Sequence, residues 1–164
     1  MILTLLMLYI FLAIIETKSI SFSTVEEAFD NLLVRENFER DDIIDKAISI
    51  NDDYALIIFR AGNRFAFSQF EEGFFGWRLG LYSIGDKSNS ISRTSGLIKG
   101  WIPDEYVFET EKVLVNDNEA MILELDKNNR AWVFIDTENE LQTDNLKVRF
   151  IDKNGNEINT INNF

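Results

Sequence analysis

The sequence predicts an α+β fold: one N-terminal amphipathic helix packed on an extended, mostly antiparallel β-sheet. Three observations carry this expectation. A single segment with a capping pattern and helical periodicity begins near Ser23. Beyond Ile43 the apolar residues alternate, or gather into runs of strand length. Asn, Asp and Gly punctuate those runs at hairpin spacing. The sheet can curl towards a barrel or divide into two half-sheets.

The helix is the best-marked element. Ser23-Thr24-Val25-Glu26 reads as a capping box, with Ser23 accepting from an exposed amide and Glu26 reaching back. Val25, Ala28, Phe29, Leu32 and Leu33 share one face, while Glu26, Glu27, Asp30 and Asn31 share the other. Glu26 and Glu27 also sit at the positive end of the helix dipole. The periodicity ends near Glu36.

Strands follow at Ile43 to Ile50, Tyr54 to Arg60, Arg64 to Phe70 and Phe74 to Tyr82, joined by turns at Asn51-Asp52-Asp53, Ala61-Gly62-Asn63 and Glu71-Glu72-Gly73. Ser83 to Gly96 is rich in serine and has no sustained period, so it reads as a long exposed loop. Strands resume at Leu97 to Ile102, Lys112 to Val115, Glu119 to Asp126 and Arg130 to Ile135, with Pro103-Asp104-Glu105 as a turn. Leu146 to Asp152 and Glu157 to Ile161 frame Asn154-Gly155, a strong hairpin signal. One core is expected to unite the helix face with Trp77, Leu79, Leu56, Ile58, Leu123 and Val133.

An internal echo runs through this pattern. Asn51-Asp52-x-x-Ala55-Leu56-Ile57-Ile58 recurs as Asn116-Asp117-x-x-Ala120-Met121-Ile122-Leu123, each followed by a turn, an arginine and an aromatic-rich strand. Duplication accounts for it, and so does the shared grammar of antiparallel hairpins.

The opening residues, MILTLLMLYIFLAII, stand apart from the rest. Only Thr4 and Tyr9 interrupt the apolar run, and no side-chain charge precedes Glu16. As a helix the run spans roughly 22 Å, shorter than the ~30 Å hydrocarbon core, which favours a signal-peptide core. Thr17 and Ser19 supply small residues for a cut after Ser19. Left uncut, residues 1–19 form a short membrane anchor in which Lys18 snorkels towards the interface. Either outcome places 20–164, read as one α+β domain, outside the cytoplasm. A buried N-terminal element is the competing reading, and the lack of any polar stripe argues against it.

Composition narrows the chemistry. Hydrophobic residues make up 46% of the chain, enough for a core. The net charge is −12, and all of it falls beyond the leader because Glu16 cancels Lys18. Such a surface repels phosphate backbones and anionic lipids, so no nucleic acid is expected, and membrane contact is expected only through the N-terminal segment. It suits solubility or a cationic partner. With no cysteine there are no disulfides, thiolate nucleophiles or sulfur-ligated metals. With no histidine the usual general base and zinc ligand are missing. No cofactor and no metal site is expected.

Candidate binding residues come from two places. The stretch Phe65 to Tyr82 is rich in aromatic residues, most of which the period-2 spacing assigns to core. Phe74, Arg78 and Tyr82 lie opposite the Trp77 face and are expected outside, where aromatic rings can grip a ligand. Lys87 and Arg93, in the serine-rich loop, form a basic spot on an acidic chain. The acid pairs Asp41-Asp42, Asp52-Asp53 and Glu71-Glu72 lack the cleft-facing spacing of a glycosidase. Asp152-Lys153-Asn154-Gly155-Asn156-Glu157 has some calcium-loop character, but its glycine is out of place for an EF-hand, and a hairpin turn explains the same residues.

The leader, the single helix, the apolar hairpin, Phe74-Phe75-Gly76-Trp77-Arg78 and the terminal Asp152-Lys153-Asn154-Gly155-x-Glu157 turn together resemble small exported or membrane-tethered proteins of Bacillus-like Gram-positive bacteria. The resemblance covers residues 20–82 and 146–158 and implies an extracytoplasmic location. It transfers no functional residues.

The expected function is a non-enzymatic extracytoplasmic binding or interaction module for an unknown protein or cell-surface ligand. The alternative is an acidic immunity or inhibitor protein that neutralises a basic toxin or enzyme through charge complementarity. A carboxylate-based hydrolase is the third reading.

Overall fold

A computed structural model describes residues 2–51, 53–87, 91–94, 96–136 and 146–162. The fold is α+β, with antiparallel sheets and an amphipathic helix near the N-terminus. The strands form two sheets, one of four strands and one of seven. Residue contacts divide the chain into two units, 1–44 with 48–84, and 85–164 with 45–47.

The first unit begins with α1 (Ile2–Ser19) and α2 (Val25–Arg35). Its sheet has the order β1-β2-β3-β4, from β1 (Ile43–Ile50), β2 (Tyr54–Ala61), β3 (Arg64–Gly73) and β4 (Gly76–Gly85). Capping at α2 is displaced by one residue from the expected box. Thr24 Oγ1 accepts from the Glu27 amide at 3.1 Å, and Glu27 Oε2 accepts from the Ser23 amide at 3.0 Å. The motif is the same and Thr24 is the cap, because Ser23 follows Phe22, which is held in a β-bridge. Val25, Ala28, Phe29, Leu32 and Leu33 are buried as the periodicity requires. They pack with Ala55, Ile57, Phe59, Ala61 and Trp77. Phe29 meets Phe59 edge-on at 5.2 Å between centroids.

The second unit holds β5 (Ser92–Thr94), β6 (Leu97–Trp101), β7 (Thr110–Val115), β8 (Asn118–Asp126), β9 (Asn129–Ile135), β10 (Lys147–Asp152) and β11 (Glu157–Asn162). Their order is β11-β10-β7-β8-β9-β6-β5. A central meander, β7-β8-β9, is therefore flanked by two hairpins. Asn116 and Asp117 both take positive φ between β7 and β8, the conformation of a tight I′-like turn that Asn and Asp tolerate. Gly155, with φ 86°, fills the same need between β10 and β11. Asp152 accepts there from the Asn154 and Asn156 amides, both at 2.8 Å, so its carboxylate serves the turn. Residues 103–109 coil under the sheet and contribute Tyr106 and Val107 to a core with Val113, Trp132, Val148 and Phe150. Arg130 Nη1 pins that segment by donating to the Val107 and Thr110 carbonyls at 2.8 and 2.6 Å.

Two expectations are corrected here. The single core resolves into two clusters. Leu56 and Ile58 are buried but lie on the face of β2 opposite Ile57 and Phe59, and Leu123 and Val133 belong to the second unit. The long loop from Ser83 to Gly96 is shorter than expected, because Ser83–Gly85 continue β4 and Ser92–Thr94 form β5. Residues 88–90 and 95 of that stretch lie outside the described residues, as does Asp52 of the first turn. Of the internal echo, Ala55–Ile58 lie in β2 and Ala120–Leu123 in β8, each followed by the next strand of a meander.

Candidate functional site

The chain passes from α1 to the rest of the first unit through a very short link. Only Ile20 and Ser21 separate the end of α1 from Phe22. Phe22 and Trp77 form an antiparallel bridge, each amide donating to the other's carbonyl at 2.8 Å. Gly76 makes this approach possible. Its φ is +108°, and a Cβ there would come 2.2 Å from the Phe22 carbonyl oxygen.

Beside this junction lies a groove of ≈ 370 Å³, lined by Ser19, Ile20, Asn31, Arg35, Arg78 and Leu79 among others. Asn31 and Arg35 are one helical turn apart on α2 and so face the groove together. Arg78 projects from β4. Arg35 Nε donates to Glu36 at 3.1 Å and Arg78 Nη2 to Glu71 at 3.4 Å. Both pairs are substantially open to solvent, a setting in which ion pairs hold weakly. Phe22, Ala28 and Leu32 supply apolar wall.

The five sequence candidates separate. Phe74 is 97% exposed at the β3–β4 turn and stacks edge-on against Phe75 at 5.0 Å. It precedes β4 instead of opening it, because Gly76 turns the backbone there. Arg78 is exposed and lines the groove. Tyr82 does not share Arg78's outer face. Trp77 and Leu79 pack on the α2 cluster, and so do Tyr82 and Ile84, which means the alternation slips by one residue between Leu79 and Tyr82. Gly80 lies in that interval, where a Cβ would meet Glu71 Oε1 at 2.9 Å. Burial, and then the charge of Glu36, push the Tyr82 phenol above its ordinary range, while Arg64 and Arg35 oppose the shift.

Lys87 and Arg93 do not form a free basic spot. Lys87 pairs with Asp104, donates to the Asn128 carbonyl at 3.2 Å and keeps only 14% of its side chain exposed. Arg93 lies 3.7 Å from the buried Asp136. Each cation is matched inside the second unit, so its charge serves the fold there.

Among the described residues no group of three or more acids is placed to hold a metal. Asp42 accepts from the Glu39 amide at 2.7 Å and Glu71 pairs with Arg78, so each has a local structural partner. The sequence reading missed Asn31, Arg35 and the Phe22–Trp77 bridge. The Asn31–Arg35 spacing on the polar helix face was a visible signal, whereas the bridge joins residues far apart in sequence and left none.

The fold thus defines an α+β protein of two antiparallel sheets that carries a solvent-exposed apolar helix at its start. Comparisons with protein-family models, curated proteins and solved structures find no match for this chain.

Proposed function

We propose that the protein is a non-enzymatic binding module held by α1 at the outer face of a membrane. One observation carries this reading: none of the residues of α1 is buried, although its first fourteen residues, Ile2 to Ile15, are apolar but for Thr4 and Tyr9. Its 18 residues span roughly 27 Å, close to the hydrocarbon thickness once Lys18 snorkels at the C-terminal end. Leaving that surface in water is costly, at ~25 cal/mol per Å² of apolar area, and a bilayer removes the cost.

The partner-facing feature in this reading is the Phe74–Phe75 turn. A phenylalanine 97% open to solvent contributes little to the fold and offers an apolar anchor to another molecule. The net charge of −12 favours a cationic partner reached by electrostatic steering.

The test is site-specific photocrosslinking from position 74 of the full chain in intact cells, with fractionation of the product. A discrete crosslinked partner in the membrane fraction, weakened by salt, is expected. Absence of any crosslink, with the chain recovered soluble, contradicts the proposal. A crosslinked basic toxin or enzyme, inhibited on binding, selects the immunity reading instead.

A further inference from the structure

We propose that the groove bounded by Ser19, Asn31, Arg35 and Arg78 seats the phosphate of a bilayer phospholipid headgroup. The proposal rests on the reading of α1 as a membrane segment; given that, chain geometry sets the depth of the groove. Ile20 and Ser21 alone connect α1 to the Phe22–Trp77 bridge, and the three steps from Ser19 to Phe22 reach at most about 11 Å. A headgroup layer occupies about 5–7 Å on each side of the hydrocarbon core. Ser19 and Ile20 themselves line the groove, so a helix embedded up to Lys18 brings its mouth into that layer.

The lining matches such a ligand. Two guanidiniums flank the groove, and planar guanidinium forks suit phosphate oxygens. Among the described residues Arg35 engages Glu36 through Nε and Arg78 engages Glu71 through Nη2, which leaves other N–H donors on both. Asn31 adds an amide, and Phe22, Leu32 and Leu79 offer apolar wall to the glycerol end of a lipid. The chain's charge of −12 acts against an anionic surface at range. Screening limits that effect to about 8 Å at physiological salt, so contact between a phosphate and two arginines is decided locally.

The chain has no cysteine, so single labels can be placed at will. The full chain, carrying a spin label at Val34→Cys, an exposed position of α2 outside the groove lining, is reconstituted in nanodiscs of phosphatidylglycerol and, separately, of a phosphate-free glycolipid. Shielding of the label from an aqueous nickel chelate is expected to be about fivefold greater with phosphatidylglycerol, and to vanish in the Arg35→Gln/Arg78→Gln chain. Inorganic phosphate added to glycolipid discs is expected to leave the label open; shielding there would assign the groove to free phosphate and overturn the lipid proposal. A second label, at Leu8→Cys, separates the two levels of the argument. If Leu8 lies in hydrocarbon while the label at position 34 is equally accessible in both lipids, the groove assignment fails and the anchor stands. If Leu8 is open to water, the anchor reading fails and the groove assignment falls with it.

Discussion

Phe22 and Trp77 exchange both main-chain hydrogen bonds at 2.8 Å, although they are far apart in sequence. This pair ties the exit of α1 to the last strand of the four-stranded sheet. It depends on Gly76, whose missing Cβ leaves room for the Phe22 carbonyl.

Gly76→Ala is therefore expected to destabilise the first unit by at least about 2 kcal/mol, since it combines a steric clash with an unfavourable φ. Gly62→Ala is the control. Its φ is +59° but the space around it is open, so about 1 kcal/mol is expected. Denaturant unfolding followed by tryptophan fluorescence measures both.

The displaced cap of α2 gives a direct contrast. Thr24→Ala should cost about 1 kcal/mol, because Thr24 Oγ1 satisfies the Glu27 amide. Ser23→Ala should be nearly neutral, since the bond from Ser23 to Glu27 uses its amide. A larger loss at Ser23 than at Thr24 would restore the register expected from sequence.

Lys99 makes stability depend on pH in the alkaline range. It lies across from Val133 on β9, and burial lowers its ammonium from 10.5 to about 8. Between those values the unfolded chain binds more protons than the native one, so stability rises as pH climbs from about 8 to 10.5. Below pH 8 the penalty is present in full, with an upper bound of order 3 kcal/mol. Lys99→Met should remove the slope and stabilise the protein at neutral pH, as read by unfolding curves at several pH values.

Asp152 acts in the opposite direction. Hydrogen bonds from the side chain and then the amide of Asn156 hold its carboxyl below the ordinary range. Its stabilising effect is present above the unfolded carboxylate value and is lost as pH falls through the lowered one. Protection of the Asn154 and Asn156 amides against exchange, taken relative to the intrinsic rate at each pH, should fall on acidification, and Asp152→Ala should abolish that dependence.

The secondary structure was largely legible because it is local. The Ile43–Ile50 strand is found where alternation put it, and Asn154-Gly155 turns where its backbone preferences require. Side-chain direction after Gly80 was not legible. Strict alternation sends Tyr82 outward with Arg78, and one slipped residue returns it to the core. The candidate site was readable in part. Phe74 and Arg78 are exposed, whereas Lys87 and Arg93 found partners, Asp104 and Asp136, that only tertiary folding brings near. The division into two cores was hidden for the same reason, because period-2 patterning fixes which face a residue takes and says nothing of what covers it.

The central claim is that α1 remains in a bilayer and holds the sheets outside the cytoplasm. The most direct measurement places a cysteine at the exposed turn residue Asn154 in the full chain, treats intact cells with a membrane-impermeant maleimide, and then extracts the membranes with alkaline carbonate. Labelling in intact cells, with the full-length chain retained in the carbonate pellet, is the predicted result. Labelling only after lysis, or recovery of the chain in the soluble fraction, would contradict it.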